Sequence, residues 1–171
     1  MTISGGEPMA QFEFTRALLH AAKAHGLHTC LDTCGFAPQA KFAALVDDVD
    51  LFLYDYKATD AKEHARFTGV ANQAILRNLR FLYERRARIR LRCPLVPGLN
   101  DSLAHLEGIA ALAAEYPKLE GIEIMPYHAM GRDKAERIGK PAHLHELQNP
   151  DEATKTKWLE TLQQLGCALA T

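Results

Sequence analysis

Charged side chains gather at five short stations along this chain, each beside a glycine, a proline or an apolar run. They are Ser4-Gly5-Gly6-Glu7-Pro8, Asp32-Thr33-Cys34-Gly35, Asp55-Tyr56-Lys57, Arg92-Cys93-Pro94 with Pro97-Gly98, and Pro126-Tyr127-His128. Gly5-Gly6 lets a backbone approach a ligand closely, and Glu7 beside it can accept a hydrogen bond from a cationic group such as an amine. Asp32 and Asp55 in one pocket would repel each other and so require a cation with them or between them. Lys57 beside Asp55 suggests charge pairing at a ligand, and His128 gains interest from its place after a strand. Each has a plainer alternative. The glycines could form an ordinary turn, the aspartates could cap helices, Lys57 could be a solvated lysine and His128 a histidine without a role. Cys30 and Cys34 form a C-x-x-x-C pair, but Ala37 stands where a further cysteine would complete a ligand set. Both read as reduced thiols rather than metal ligands.

The stations recur in phase. Glu7, Asp32, Asp55, Arg92 and His128 are separated by 25, 23, 37 and 36 residues, each about one β-α step. The elements between them follow from periodicity. Pro8 opens a helical pattern with Phe14, Leu18 and Ala22 four apart, and Gly26 ends it. A strand is expected over Leu27–Asp32 and a helix from Pro38 to about Val46. VDLFLYDY, Val49–Tyr56, reads as a strand buried on both faces. A helix follows over Asn72–Arg85. Arg88–Leu95 alternates Arg88, Arg90, Arg92 against Ile89, Leu91, Cys93, a strand with two different faces. Asp101-Ser102 caps a helix that ends near Tyr116-Pro117, and Ile122–Tyr127 is the last strand. A loop with Gly131, Gly139 and Pro141 leads to a helix from Pro150-Asp151 to Leu165, stopped by Gly166. Strand and helix alternating in this way imply a parallel β/α fold, whose C-terminal strand ends share one face.

Composition bounds the rest. The 171 residues are the size of one domain, and 20 basic against 21 acidic residues leave a net charge of −1. That excludes a strongly basic nucleic-acid binder, and no apolar run reaches the ~20 residues of a membrane span. Scattered cysteines and the lack of a signal-peptide pattern at Met1–Gly6 point to a reducing cytoplasm.

The ordered pieces TISGGEP, HTCLDTCGF, LYDYK, LRCPLVPGLND and IEIMPYH, followed by GRDKAERIG, cover essentially the whole chain. Together they resemble the glycyl-radical-enzyme activating enzymes of the radical SAM superfamily. The resemblance implies one domain over residues 1–171, a partial (β/α)6 barrel, here an open curved parallel sheet of about five strands with outer helices. It implies S-adenosylmethionine (SAM) at the strand ends, reductively cleaved with a [4Fe-4S] cluster to a radical. That radical takes hydrogen from a glycine of a partner, a pyruvate formate-lyase-like glycyl radical enzyme, with an electron donor such as flavodoxin. By position, Gly6 and Glu7 would hold the methionine amino group, and Gly5 would belong to the same cofactor-binding set. Asp55, Tyr56 and Lys57 would line the same ligand, with Arg92 and His128 facing it. Asp32, Thr33, Asp55 and the carbonyl of Leu53 match a monovalent-cation site.

The family's C-x-x-x-C-x-x-C cluster loop lies upstream of GGEP, and Cys30 and Cys34 are not its replacement. The chain is therefore expected to be an N-terminally truncated domain without iron-sulfur ligands and inactive by itself. Met1–Ser4 would form an edge of the sheet. The competing readings are a radical SAM enzyme acting on a small molecule and a non-catalytic remnant that binds SAM or a partner.

Overall fold

The computed structural model describes residues 1–128 and 147–170. The expected loop positions Gly131, Gly139 and Pro141 and the GRDKAERIG piece lie outside the described residues. Five strands, β1 (Thr2–Ile3), β2 (Cys30–Thr33), β3 (Leu51–Asp55), β4 (Ile89–Leu95) and β5 (Ile122–Pro126), pair in sequence order, all parallel. The helices between them are α1 (Phe12–Ala24), α2 (Gln39–Ala43), α3 (Ala61–Thr68), α4 (Gln73–Glu84) and α5 (Leu103–Glu115); α6 (Glu152–Gln164) packs on α5. The sheet is open, with β1 at one edge. At the other edge, Ile122 exchanges backbone hydrogen bonds with the carbonyl of Ala168 and the amide of Ala170.

Side-chain alternation sorts the strands into two faces. Leu31, Phe52, Tyr54, Ile89, Leu91, Cys93, Leu95 and Ile122 are buried beneath helix residues such as Leu19, Leu79 and Ile109 in one apolar core. Asp32, Leu53, Asp55, Arg90, Arg92 and Glu123 lie on the other, half-buried face. β3 is thus buried on one face only, contrary to the expectation from its apolar run. Leu51 and Leu53 make that run look continuous, yet they sit on the half-buried face with Asp32 and Arg92, which no helix layer covers among the described residues. β4 alternates as its arginines predict.

Two expectations about α1 and β2 also change. The buried stripe of α1 is Thr15, Leu19 and Ala22, while Phe14 is 64% exposed. Thr15 can be buried because its hydroxyl donates to the Pro8 carbonyl at 2.8 Å, which satisfies its polar group. β2 starts at Cys30, because Leu27 belongs to the helix-ending turn and donates its N–H back to the Ala22 carbonyl.

α3 is an element the periodicity did not reveal, since only eight residues separate its caps. Its signal lies in those caps. The Asp60 carboxylate accepts from the Lys62 and Glu63 amides at 2.8 and 2.9 Å, and Gly69 closes the helix in the left-handed region at φ +83. Replacing Asp60 with Ala is expected to lower stability by about 1 kcal/mol. Urea unfolding checks this, and an unchanged midpoint would mean the cap contributes nothing.

Candidate functional site

The C-terminal strand ends meet at a cavity of about 610 Å³. Ser4 to Glu7 reach it from β1, Asp32, Thr33, Cys34 and Phe36 from β2, Asp55 and Lys57 from β3. Arg92 and Pro94 of β4 and Met125 of β5 complete the strand side, and His64, Thr68, Val70 and Ile75 form a wall from α3 and α4.

Register explains the charge pattern. Asp32 lies opposite Leu53, and Asp55 lies opposite Arg92, so three ionic groups share one face within two strand spacings. Arg92 reaches across β3 and places Nη1 2.7 Å from Asp32 Oδ2. Ser4 Oγ donates to the same oxygen at 2.7 Å. Lys57 Nζ sits 2.5 Å from Asp55 Oδ2. The cation that two neighbouring aspartates require is therefore supplied for each by the chain itself. Arg92 Nε is buried and has no hydrogen-bond partner among the described residues; the nearest acid, Glu123, is 3.8 Å away.

Glu7 ties the first loop to the second. Its Oε1 accepts from the Met9 amide at 3.0 Å and the Thr33 hydroxyl at 2.8 Å, and Oε2 accepts from the Cys34 amide at 2.8 Å. A carboxylate has about four acceptor positions, so one direction on Oε2 remains for a ligand. The Asp32-Thr33-Cys34-Gly35 turn is seated on the core. Gly35 has φ +74, and the buried Tyr54 hydroxyl lies directly beneath it and donates to the Ile75 carbonyl at 2.7 Å. Asn78 of α4 clamps the turn by donating to the Gly35 and Ala37 carbonyls, both at 2.8 Å.

Of the sequence-derived site residues, Gly5, Gly6, Glu7, Asp55, Lys57 and Arg92 line this cavity, as do Asp32 and Thr33 of the cation set. Leu53 lies on the same face as Asp32 and Asp55. The Thr33 side chain is 2% exposed, with its hydroxyl held by Glu7 and accepting from the Gly35 amide at 3.1 Å. No group of three or more His, Cys, Asp or Glu side chains that could hold a metal ion occurs among the described residues.

Two residues sit elsewhere. The Tyr56 ring is 4% exposed and lies 5.7 Å from the His105 ring in the core, because strand alternation turns it away from Asp55 and Lys57. His128 is exposed beyond the end of β5 and is not part of the cavity lining; Met125 faces the cavity from that strand. Phe36, 47% exposed at the rim, and the α3 residues His64 and Thr68 are cavity residues that sequence reasoning missed.

The cysteines are apart and free. Cys93 and Cys167 are buried in the core. Burial, reinforced by the Glu7 carboxylate, pushes the Cys34 thiol up to about 11, so it stays protonated and unreactive at neutral pH. The arrangement is suited to binding. Both signs of charge are fixed beside the apolar surfaces of Phe36, Val70, Ile75 and Met125, which matches a zwitterion carrying a flat, weakly polar ring.

Residues 1–112 match the Radical SAM superfamily. The chain is 40% identical over 142 residues to the choline trimethylamine-lyase activating enzyme of Oleidesulfovibrio alaskensis, covering 81% of this chain and 46% of that protein. It is 37% identical over 154 residues to the trans-4-hydroxy-L-proline dehydratase activating enzyme of Clostridioides difficile, covering 89% of this chain and 51% of the relative. The chain thus spans about half the length of these relatives. A crystal structure of a domain of pyruvate-formate lyase-activating enzyme from Bacteroides vulgatus superposes with a TM-score of 0.80 at 26% identity, covering 99% of this chain and 96% of that one. Members of the superfamily use SAM and a [4Fe-4S] cluster. The chain belongs to the radical SAM superfamily, and the curated relatives it matches are activating enzymes of glycyl radical enzymes.

Proposed function

We propose that the strand-end cavity binds SAM, and that the chain is the SAM-binding part of an enzyme that installs a glycyl radical on a pyruvate formate-lyase-like partner. The observation that carries this reading is the convergence of Gly5, Gly6, Glu7, Asp55, Lys57 and Arg92 on one cavity of about 610 Å³. Gly5 and Gly6 bring backbone close to the methionine part, and the remaining acceptor of Glu7 takes its ammonium. Asp55 and Lys57 hold polar groups further along the ligand. Arg92 keeps its place through Asp32 and presents the rest of its guanidinium to the cavity. A monovalent cation bound among Asp32, Thr33, Asp55 and the Leu53 carbonyl would add to the charge balance beside the ligand carboxylate. The names of the relatives support the partner class. The same reading includes an electron donor such as flavodoxin, and a cytoplasmic location fits a chain with four free thiols.

The cysteines of this chain do not fit the family's cluster, since two are core residues and Cys30 and Cys34 share no third ligand among the described residues. The residues that line the cavity bind and orient SAM. The test is calorimetric titration of the chain with SAM. Glu7→Ala, which removes a charge-assisted hydrogen bond worth about 1.5–3 kcal/mol, is expected to weaken binding by roughly 10- to 100-fold. Asp55→Asn is expected to weaken it as well. Unchanged affinity in both variants would overturn this assignment.

A further inference from the structure

A buried side chain outside the cavity lining joins two of the strand ends that form it. The β3–β4 ladder closes with the Tyr56 N–H donating to the Arg92 carbonyl at 2.7 Å. The next bond of a parallel ladder needs an N–H at position 94, which Pro94 lacks. Asn100 supplies the link instead. It is 7% exposed and sits where the chain after β4 turns back, with the Leu99 and Asn100 amides both donating to the Val96 carbonyl. Its Nδ2 donates to the Lys57 carbonyl at 2.8 Å and to the Pro94 carbonyl at 2.7 Å, and its Oδ1 accepts from the Val96 amide at 2.7 Å. Both amide hydrogens are used, and two carbonyls at one end against an N–H at the other leave the group a single orientation. Asn78 clamps the β2 turn in the same way, but Asn100 spans two strands and holds the backbone of a cavity residue.

From this geometry, and resting on the SAM assignment, we infer that Asn100 is a positioning residue for SAM binding and acts through Lys57. The Lys57 ammonium stands 2.5 Å from Asp55 Oδ2 in the cavity. A lysine carries its charge on a flexible four-carbon stem, so the backbone from which that stem starts decides where the charge can stand. Asn100 ties the Lys57 carbonyl to the end of β4, the strand that carries Arg92. The lysine and the arginine of the cavity are thereby fixed relative to each other before a ligand arrives. Binding then pays less for ordering Lys57. Without the amide, the Lys57 and Pro94 carbonyls and the Val96 N–H lose a partner together, and the end of β3 is released from β4.

The test is a double-mutant cycle on the whole chain, read as affinity for S-adenosylhomocysteine by calorimetry. Asn100→Ala removes the amide and adds no charge; Lys57→Met removes the ammonium and keeps the stem. Each is expected to bind about tenfold more weakly than the unaltered chain, and the double variant no more weakly than Lys57→Met alone. A merely structural asparagine would weaken binding by the same factor in both backgrounds, and that result would overturn the inference. Unchanged affinity in either single variant would do so too. Hydrogen exchange on the unaltered chain covers the case in which Asn100→Ala fails to fold. The Val96 N–H exchanges when it leaves Asn100 Oδ1, so if binding requires the closed clamp, S-adenosylhomocysteine at about ten times its Kd slows that exchange about tenfold. An unchanged Val96 rate would overturn the inference. If the unaltered chain does not bind S-adenosylhomocysteine, the SAM assignment falls and this one with it; binding without coupling overturns this one alone.

Discussion

Gly35→Ala is expected to cost about 3 kcal/mol of stability, lowering Tm by roughly 10 °C. A Cβ on Gly35 would lie 1.9 Å from the Tyr54 hydroxyl oxygen and 2.2 Å from its ring carbon. Tyr54 has nowhere to move, being 1% exposed and hydrogen-bonded to the Ile75 carbonyl. Alanine at φ +74 adds the strain of a left-handed residue. Gly26 provides the control. It has φ +70 and nothing within 4 Å of a Cβ, so Gly26→Ala carries only the conformational part, about 1 kcal/mol. Equal losses in the two variants would show that the contact with Tyr54 is not the cause. The Gly35 change should reach function too, because the same turn holds Thr33 and the Cys34 amide against Glu7. Loss of SAM affinity in Gly35→Ala but not in Gly26→Ala is the expected pattern.

The second large effect is a dependence of stability on pH set by His105. Its ring is buried in the core beside Tyr56, and burial pushes its pKa from 6.5 down to about 4. Its Nδ1 accepts from the Thr59 amide at 3.2 Å and lies 2.9 Å from the Thr59 hydroxyl, so the neutral ring is the form the fold requires. The ionisable neighbour Tyr56 is pushed up by burial and stays neutral through this range. Above pH 6.5 the folded and unfolded chains bind the same number of protons at this site. Below it the unfolded histidine takes up a proton that the folded one refuses, so stability falls with pH until about 4. The total is about 3 kcal/mol, of which about 2 kcal/mol is lost between pH 6.5 and 5. Urea unfolding at those two pH values measures it. His105→Asn retains an acceptor for Thr59 and does not titrate, so its stability should lack this fall. An equally steep fall in the variant would place the proton uptake elsewhere. Asp50, which Lys23 and Thr29 hold well below the usual carboxylate range, is ionised throughout this window and contributes only at lower pH.

Much of the molecule is legible from order and period alone. The phase of the five stations follows from β-α connectivity, because every parallel strand must return to the same end of the sheet before the next begins. That is why Glu7, Asp32, Asp55 and Arg92, far apart in sequence, could be assigned to one rim, and why the arginines of β4 could be assigned to a face. Short-range pattern could not decide what depends on layers. Whether Leu51 and Leu53 are core residues depends on a second covering layer, which the half-buried face lacks among the described residues, and an apolar letter is the same on either face. Tyr56 follows Asp55 immediately and looks like part of the same station. The two-residue period of the strand sends it into the core instead. Thr15 and Phe14 exchange places because a hydroxyl that finds the Pro8 carbonyl can be buried, which is a tertiary fact. The pairing of each aspartate with its own base was likewise beyond the sequence. Lys57 is two residues from Asp55, but Arg92 reaches Asp32 across an intervening strand, a distance set by sheet register and not by chain separation.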